Sequence, residues 1–546
     1  MCDDHKSSYS KKVNQYFRQR TGASLEDRQA HRESHQQWDR RSFLRTTGLV
    51  GLGSALMLGQ TPVQALASSP LLNALSSSEC GDRKLVLVRL KGGNDGLNTV
   101  ILRGNDTYYN IRPTLAVQES GLWGLSPDYG MPNSMQALEP MWGDGKMKVI
   151  HNVGYPNPNY SHFRSSDIWA SASDSDEVIH TGWIGRWMEE NYPAFLSAPP
   201  IVPPALQIGI QANLVFRSNT ANMALAISNP SEFYQIAQTG NLYSLAGLDN
   251  DPNDMELAYV RQVANSSFRY AESIQDAYNT GTNQVGYPNN NLAEQLAIVA
   301  RLIKGDLGTK VFMVSIGGFD THANQANSHP ILLQRVANSI AAFFEDLTAG
   351  GQSQNVLAMT FSEFGRTIYE NGSFGTDHGT GAPMMIFGDD LGSEFIGEAP
   401  DLDNLDQYGD PLYSVDFREV YSSVLQDWLC VPPQLNEFVL GDGVTPIPGI
   451  LPAGNPPIGS NQVALLLGHK PIDAGFAINY AIKRRGNVRL VILNKQGQQV
   501  RTLFQGFRER GSYTFDFHPS AFFLSPGSYF YRLESGGMAY SRQIKW

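Results

Sequence analysis

The chain predicts an α/β domain whose sheet is covered by helices on both faces, followed by a small all-β sandwich. Three observations carry this reading. Near-continuous apolar runs such as Lys84–Leu90 (KLVLVRL) have the pattern of strands buried inside a parallel sheet. Those runs alternate with long helical stretches, as in βαβ units. Past a proline-rich segment the pattern changes to short strands separated by Gly and Pro turns.

The first element is a leader. Residues 1–38 are polar, and Asp39-Arg40-Arg41-Ser42-Phe43-Leu44-Arg45 follows them. Then come a modestly apolar run, Gly48–Gly59, and Ala65-Leu66-Ala67. Paired arginines, a short Gly-rich apolar run and a small-x-small site in that order make residues 1–67 a leader with a twin-arginine signal peptide. A chance arginine pair before a buried helix is the competing explanation. The signal predicts export through the twin-arginine translocase to the periplasm, cell surface or medium, with a mature chain beginning near Ser68. In that oxidising compartment Cys80 and Cys430 either pair or remain two separate thiols.

The α/β domain spans 68–440. Its expected strands are Lys84–Leu90, Met147–Val153, Val311–Ile316, Asn355–Thr360 and Pro383–Phe387. Its expected helices are Asp254–Tyr278, Asn291–Lys304, Pro330–Leu347 and 416–430. Residues 441–469 form a linker, because five prolines between Pro446 and Pro457 permit neither a helix nor a central strand. Residues 470–546 form the sandwich, with strands at Val488–Leu493, Ser512–Phe517, Ser528–Leu533 and Ala539–Trp546.

Composition narrows the functions. With 546 residues, 41% of them hydrophobic, the chain has more than one domain's worth of core, and its 3 Cys exclude a disulfide scaffold. The net charge of −11 conceals an acidic body and a basic C-terminal sandwich. An acidic body of this kind repels nucleic acid, and the basic strands lack the interleaved aromatics of a nucleic-acid stripe.

Ligand-type residues gather just beyond the expected strands, where open α/β sheets place their sites. Lys91-Gly92-Gly93-Asn94-Asp95-Gly96 follows the first strand, and Gly317-Gly318-Phe319-Asp320-Thr321-His322 follows another. Ser362-Glu363-Phe364-Gly365-Arg366-Thr367 follows a third, and Gly375-Thr376-Asp377-His378-Gly379 lies in a loop soon after. Asp, Glu and His in these positions are ligands for Zn²⁺ or Mn²⁺, with Mg²⁺ or Ca²⁺ as alternatives. Each motif alone is equally a turn or a capping pair; together they predict one shared polar site. Ser161-His162 stands at a helix start, where Ser161 is either an N-cap or a nucleophile, and Arg164 could contact the same anion as His162. Gly-Gly-Asn-Asp-Gly has the spacing of neither a dinucleotide fingerprint nor a P-loop.

The order Arg40-Arg41, KLVLVRLKGGNDGLNTV, YSHF, TGWIGR, GGFDTHANQ, SEFGRT and GTDHG resembles the bacterial family filed as domain of unknown function 1501, over about 84–430. That family is similar to the alkaline phosphatase and sulfatase superfamily, which hydrolyses phosphate or sulfate esters at a two-metal site. The resemblance implies an alkaline-phosphatase-like sheet and a metal set of Asp95, Asp320, His322, Glu363 and His378. Ser161 and His162 are then the catalytic pair, and Asn94, Arg164, Arg366 and Asp377 bind substrate. Two registers compete for the strand-Asp-His-Gly element: Glu363-Phe364-Gly365, which follows a strand, and Asp377-His378-Gly379, which has the right letters. The first is preferred, with His378 as the late histidine of the first metal. It leaves Phe364 where a metal-binding histidine belongs, so the second site is one ligand short. The last 75 or so residues resemble a type nine secretion sorting domain through LSPGSYFYRLESGGMAYSRQIKW, with a hook-type immunoglobulin-like module as the alternative. This implies outer-membrane secretion machinery as a partner.

The expected function is therefore an exported, metal-dependent hydrolase of small phosphate or sulfate esters. The alternative is a degenerate surface protein that binds a glycan or an assembly partner.

Overall fold

The computed structural model describes residues 56–58, 61–63, 82–192, 195, 200, 202–238, 243, 252–441, 443–451, 464–473, 475–482, 485–494, 499–509, 511–535 and 538–545. The Arg40-Arg41 pair, Ser68, Cys80 and linker residues 442 and 452–463 lie outside these. A short hairpin, Leu56–Leu58 with Thr61–Val63, falls inside the expected signal segment.

A nine-stranded sheet organises the body. We label its first six strands β1 (Lys84–Lys91), β2 (Met147–Gly154), β3 (Ala205–Ile208), β4 (Ala224–Ile227), β5 (Val311–Gly317) and β6 (Val356–Ser362). A hairpin of β7 (Arg366–Glu370) and β8 (Thr376–His378) stands apart from that sheet. The sheet is completed by β9 (Ala382–Phe387), β10 (Phe395–Ile396) and β11 (Val415–Asp416). The order is β10-β2-β9-β6-β1-β5-β3-β4, with β11 also on β2. Only β9 runs against the others.

Leu85, Val86, Leu87 and Val88 on β1 are all at most 1% exposed. Consecutive strand residues point to opposite faces, so both faces of the sheet are covered. The covering helices include α1 (His162–Ser171), α2 (Trp183–Asn191), α3 (Pro252–Thr280), α4 (Asn291–Lys304) and α5 (Gln325–Ala349). The expected strands and long helices form within a few residues of their anticipated ends. Strands β3 and β4 were not anticipated; at four residues each they are too short for a periodic signal. Residues 416–430 split into a helix, Phe417–Ser423, and a π-helical turn, Val424–Trp428.

Beyond the linker, two antiparallel sheets are present. One comprises Ala464–Ile472, Gly475–Ile482 and Gly511–Phe517; the other comprises Gln499–Arg508, Gly486–Leu493, Ser528–Ser535 and Met538–Lys545. Ile478, Tyr480, Leu490, Ile492, Tyr531 and Leu533 form a core of their own. The first of these strands begins at Ala464, inside the segment expected to be linker. Cys430 is disulfide-bonded; the chain's other cysteines, Cys2 and Cys80, lie outside the described residues. Among the described residues no helix is long and apolar enough to cross a membrane.

Candidate metal centre

The register of the sheet brings three loops together. Leu90 on β1 pairs with Ile316 on β5 and with Ser362 on β6, so all three parallel strands end level. The loops that follow therefore leave the sheet side by side. Gly92 has φ +117°, and a Cβ there would lie 2.3 Å from the Asp320 backbone nitrogen. Only glycine allows the first loop to lie against the second. The β7–β8 hairpin then returns to the same edge, with Arg366 opposite His378. A Cβ at Gly379 would lie 2.3 Å from the Arg366 carbonyl carbon, so this crossing also requires glycine.

Asp320 is the centre of the resulting cluster, 46% exposed at its side chain. Its Oδ1 lies 3.1 Å from His322 Nε2 and 3.2 Å from His378 Nε2. Its Oδ2 lies 3.3 Å from His162 Nε2. Arg366 Nη2 donates to Oδ1 at 2.6 Å. Each histidine is held from behind by its other nitrogen. His162 Nδ1 donates to Glu363 Oε2 at 2.6 Å, His322 Nδ1 to Asp377 Oδ1 at 3.0 Å, and His378 Nδ1 to the Tyr160 carbonyl at 2.7 Å. A carbonyl only accepts, so in neutral His378 the proton sits on Nδ1 and Nε2 carries a lone pair. The rings of His162 and His378 rest on Phe364, with centroids 4.9 and 4.4 Å away.

The charges follow from these contacts. Burial lowers the His378 pKa to about 4, outweighing the hydrogen bond that a protonated ring would donate to Asp320. Hydrogen bonds to Asp320 and Asp377 raise that of His322 against its burial. His322 Nε2, only 2.9 Å from His378 Nε2, is therefore the donor of that pair. Burial opposes charge on His162 too, but Asp320 and Glu363 together push its pKa up to about 9. Burial would raise the Asp320 pKa, yet the three histidines and Arg366 hold it far below the usual carboxylate range.

This donor set fits a metal ion. His162, Asp320 and His378 each offer one ligand atom, and these atoms all lie within 4.8 Å of one another. Tetrahedral Zn²⁺ with bonds of about 2.0–2.1 Å separates its ligand atoms by roughly 3.3 Å. The Asp320 Oδ1–His378 Nε2 separation of 3.2 Å matches that edge, and His162 Nε2 stands 3.3 Å from the other oxygen, Oδ2. Nδ1–H groups bonded to a carboxylate or carbonyl fix the tautomer that presents Nε2 to a metal.

Other expected site residues are placed differently. Asp95 lies outside the cluster: it is fully buried, and its Oδ2 accepts from Arg112 Nη1 at 2.7 Å and from Gln325 Nε2. Burial raises its pKa, and Arg112, His329 and Gln325 more than reverse this. Glu363 is not in the ligand group either. Its Oε1 accepts from Arg89 at 3.0 Å and its Oε2 from His162, so both oxygens face away from the centre. Asn94, expected to bind substrate, is buried and bonded to Ser362, Thr99 and His329. Arg366 is likewise buried, holding the carbonyls of Gly93, Thr376 and Phe319 as well as Asp320. Arg164 ties down the carbonyls of Asp174 and Ser175. Asp377 orients His322, and Ser161 makes no side-chain capping bond at the start of α1.

Arg89, Arg112 and the Tyr160 carbonyl were missed. Arg89 and Arg112 are distant in sequence from the residues they hold, and a carbonyl leaves no trace in the side-chain sequence.

Residues 150–404 match the family described as "Protein of unknown function (DUF1501)". The DUF1501 match contains His162, Asp320, His322, Glu363, Asp377 and His378, and excludes Asp95 and the C-terminal sheets. It is narrower than the 84–430 expected. No curated protein matches the chain. Similar solved structures include the PsFucS1 sulfatase from Pseudoalteromonas sp., at 11% identity over 84% of this chain and 89% of that one, TM-score 0.31. A protein in the alkaline phosphatase superfamily from Vibrio parahaemolyticus has 11% identity over 83% and 90%, TM-score 0.27. The alkaline phosphatase of the Antarctic bacterium TAB5 has 12% identity over 57% and 95%, TM-score 0.25.

Proposed function

We propose that the chain is an exported, metal-dependent hydrolase of phosphate or sulfate esters, with a single divalent cation held by His162, Asp320 and His378. The observation that carries the metal is the convergence of two back-bonded imidazole nitrogens on one carboxylate. Mixed imidazole and carboxylate donors favour Zn²⁺ or Mn²⁺ over Mg²⁺ and Ca²⁺, which take oxygen ligands. Such an ion polarises an ester oxygen and lowers the pKa of a water. Three protein ligands leave a further position for substrate, as in catalytic rather than structural zinc sites.

The chain's own residues supply the rest. Glu363 and the Tyr160 carbonyl keep the two ligand imidazoles in the required tautomer, and Arg366 fixes Asp320. His322, counted as a ligand from its sequence, borders the open side with Asp377 behind it, where it can pass a proton to a leaving oxygen. The site holds three carboxylates, Asp320, Glu363 and Asp377, against the guanidiniums of Arg89 and Arg366. A divalent cation turns that balance positive, which lets an anionic ester approach a chain that is acidic overall.

A second reading, a degenerate surface protein that binds a glycan or assembly partner, is favoured by one observation. Among the described residues no hydroxyl, that of Ser161 included, hydrogen-bonds Asp320 or the Nε2 atoms around it. Export rests on the Arg40-Arg41 signal, and a surface address on the sorting-type C-terminal segment. Translocase and outer-membrane machinery are the partners these imply.

Elemental analysis of the full chain, purified without chelator beside Asp320→Ala, tests the proposal. About one equivalent of Zn or Mn, lost in an equally folded variant, supports it and justifies assays on aryl phosphate and aryl sulfate. Absence of metal from both proteins refutes it. Bound metal with neither ester hydrolysed favours the binding reading.

A further inference from the structure

A cavity of about 410 Å³, lined by Ile208 at the end of β3 and Ser228 just past β4, opens at the carboxyl end of the sheet. Its origin lies in the strand register. Pairing between β5 and β3 ends at Met313 opposite Gln207. Beyond that point the edge of β5 is taken up by Gln295 of α4, which exchanges two hydrogen bonds with the Ser315 backbone, both 2.9 Å. Where β3 parts from β5 a crevice remains, and crevices at the carboxyl ends of parallel strands are the usual ligand sites of open α/β sheets.

The lining mixes apolar and polar residues, and most of its amides are already bonded within the protein, Asn229 to the start of the helix after it and Gln295 to Asn291 and Ser315. Arg301 is fixed in place: its Nε donates to the Gly281 carbonyl at 2.9 Å, and its guanidinium lies 3.6 Å over the Tyr278 ring. Neither terminal nitrogen has a hydrogen bond or ion pair among the described residues. Glu294 also lines the cavity with no ion pair among the described residues. Both residues lie on one side of α4 and are seven positions apart, about 10.5 Å along the axis. That spacing is too great for the i,i+4 pairing that would let them neutralise each other. Ser228, just past β4, also lines the cavity.

We infer that this cavity binds a small zwitterion, a di- or tripeptide by size, with its carboxylate on Arg301 and its ammonium on Glu294. A preoriented guanidinium with both terminal nitrogens open suits a carboxylate in bidentate fashion. Opposite charges seven residues apart on the helix that lines one cavity fit a ligand that carries both. The inference is independent of the metal centre.

Isothermal titration of the full chain with triglycine, N-acetyltriglycine and triglycinamide tests it. Triglycine should bind with a Kd of about 1 mM or below. Blocking either terminus should weaken binding about tenfold or more, and exposed Glu294→Gln should produce the same loss for triglycine while leaving N-acetyltriglycine unchanged. Absence of triglycine binding at about 10 mM, equal binding of the capped peptides, or unaltered binding to Glu294→Gln would each overturn the inference.

Discussion

Replacing Glu363 with Gln should disable the metal centre although it removes no ligand, and the reason lies in the two bonds Glu363 makes. Its Oε2 accepts from His162 Nδ1 at 2.6 Å, and its Oε1 accepts from Arg89 Nη2 at 3.0 Å. A carboxylate satisfies both donors; an amide has one acceptor and one donor group. If the amide oxygen turns to His162, the NH₂ group faces the Arg89 guanidinium, donor against donor. If the oxygen turns to Arg89, the NH₂ group faces Nδ1. His162 must then accept there and carry its proton on Nε2, the nitrogen offered to the metal. Either arrangement is unfavourable.

Loss of such supporting bonds typically lowers metal affinity about 10–100-fold, or about 1.4–2.7 kcal/mol. The assay is competitive titration of Zn²⁺ against a chelator of known affinity, with circular dichroism to confirm the fold. The double variant sharpens the test. With Arg89→Met in the same chain, the amide oxygen is free to face His162, so the pair should bind Zn²⁺ more tightly than Glu363→Gln alone. Affinity unchanged within about twofold in Glu363→Gln, or strictly additive losses in the double variant, would refute the tautomer argument.

Three further outcomes are expected. Phe364→His should leave the metal stoichiometry at one in elemental analysis, because Asp95 is already committed to Arg112, and should lower the melting temperature by disturbing the ring that supports His162 and His378. Asp346→Ala should destabilise the fold by about 3–5 kcal/mol in denaturant titration, since it leaves Lys304, 5% exposed and 2.6 Å from Asp346, as a buried unpaired charge. The Asp167 pKa is raised by burial to about 6, against partial opposition from Arg164, Arg89 and His180. The native state thus binds this proton more tightly than the unfolded chain, so its ionisation penalty is absent below about pH 4 and complete above about pH 6. Asp167→Asn should gain about 1–2 kcal/mol at pH 7 and nothing at pH 3.5 in urea melts.

The sheet was legible because its strands are continuous apolar runs and its helices are long. The same signal failed for Ala205–Ile208 and Ala224–Ile227, where four residues do not establish a period. In the site, Asp320, His322 and His378 were visible as ligand letters after glycines, and His162 as a helix-start residue beside Ser161. What the letters do not tell is which way a side chain faces. Glu363 closely follows the end of β6 and reads as a ligand, yet it is turned towards Arg89, 274 residues away in sequence. Asp95 reads as a ligand for the same reason, and only its long-range packing against Arg112 and Gln325 excludes it.

Arg112 sets the charge of Asp95 apart from the proposed metal centre. An ionised Asp95 buried at 0% exposure must be compensated, and either a metal or a guanidinium can do so. Here a guanidinium fills that role, bonding the carbonyls of Ile368 and Thr367, the Asn98 side chain and Asp95 Oδ2, while Asp95 Oδ1 has no hydrogen-bond partner among the described residues. Two of those partners belong to β7, the strand that pairs with β8 and carries His378 to Asp320. The pair therefore ties the first loop to the hairpin that completes the proposed centre. Phe364 fits the same arrangement. Its apolar ring packs against both His162 and His378, so the residue that breaks the sequence motif and the buried Asp95–Arg112 pair both brace the hairpin and loops around Asp320.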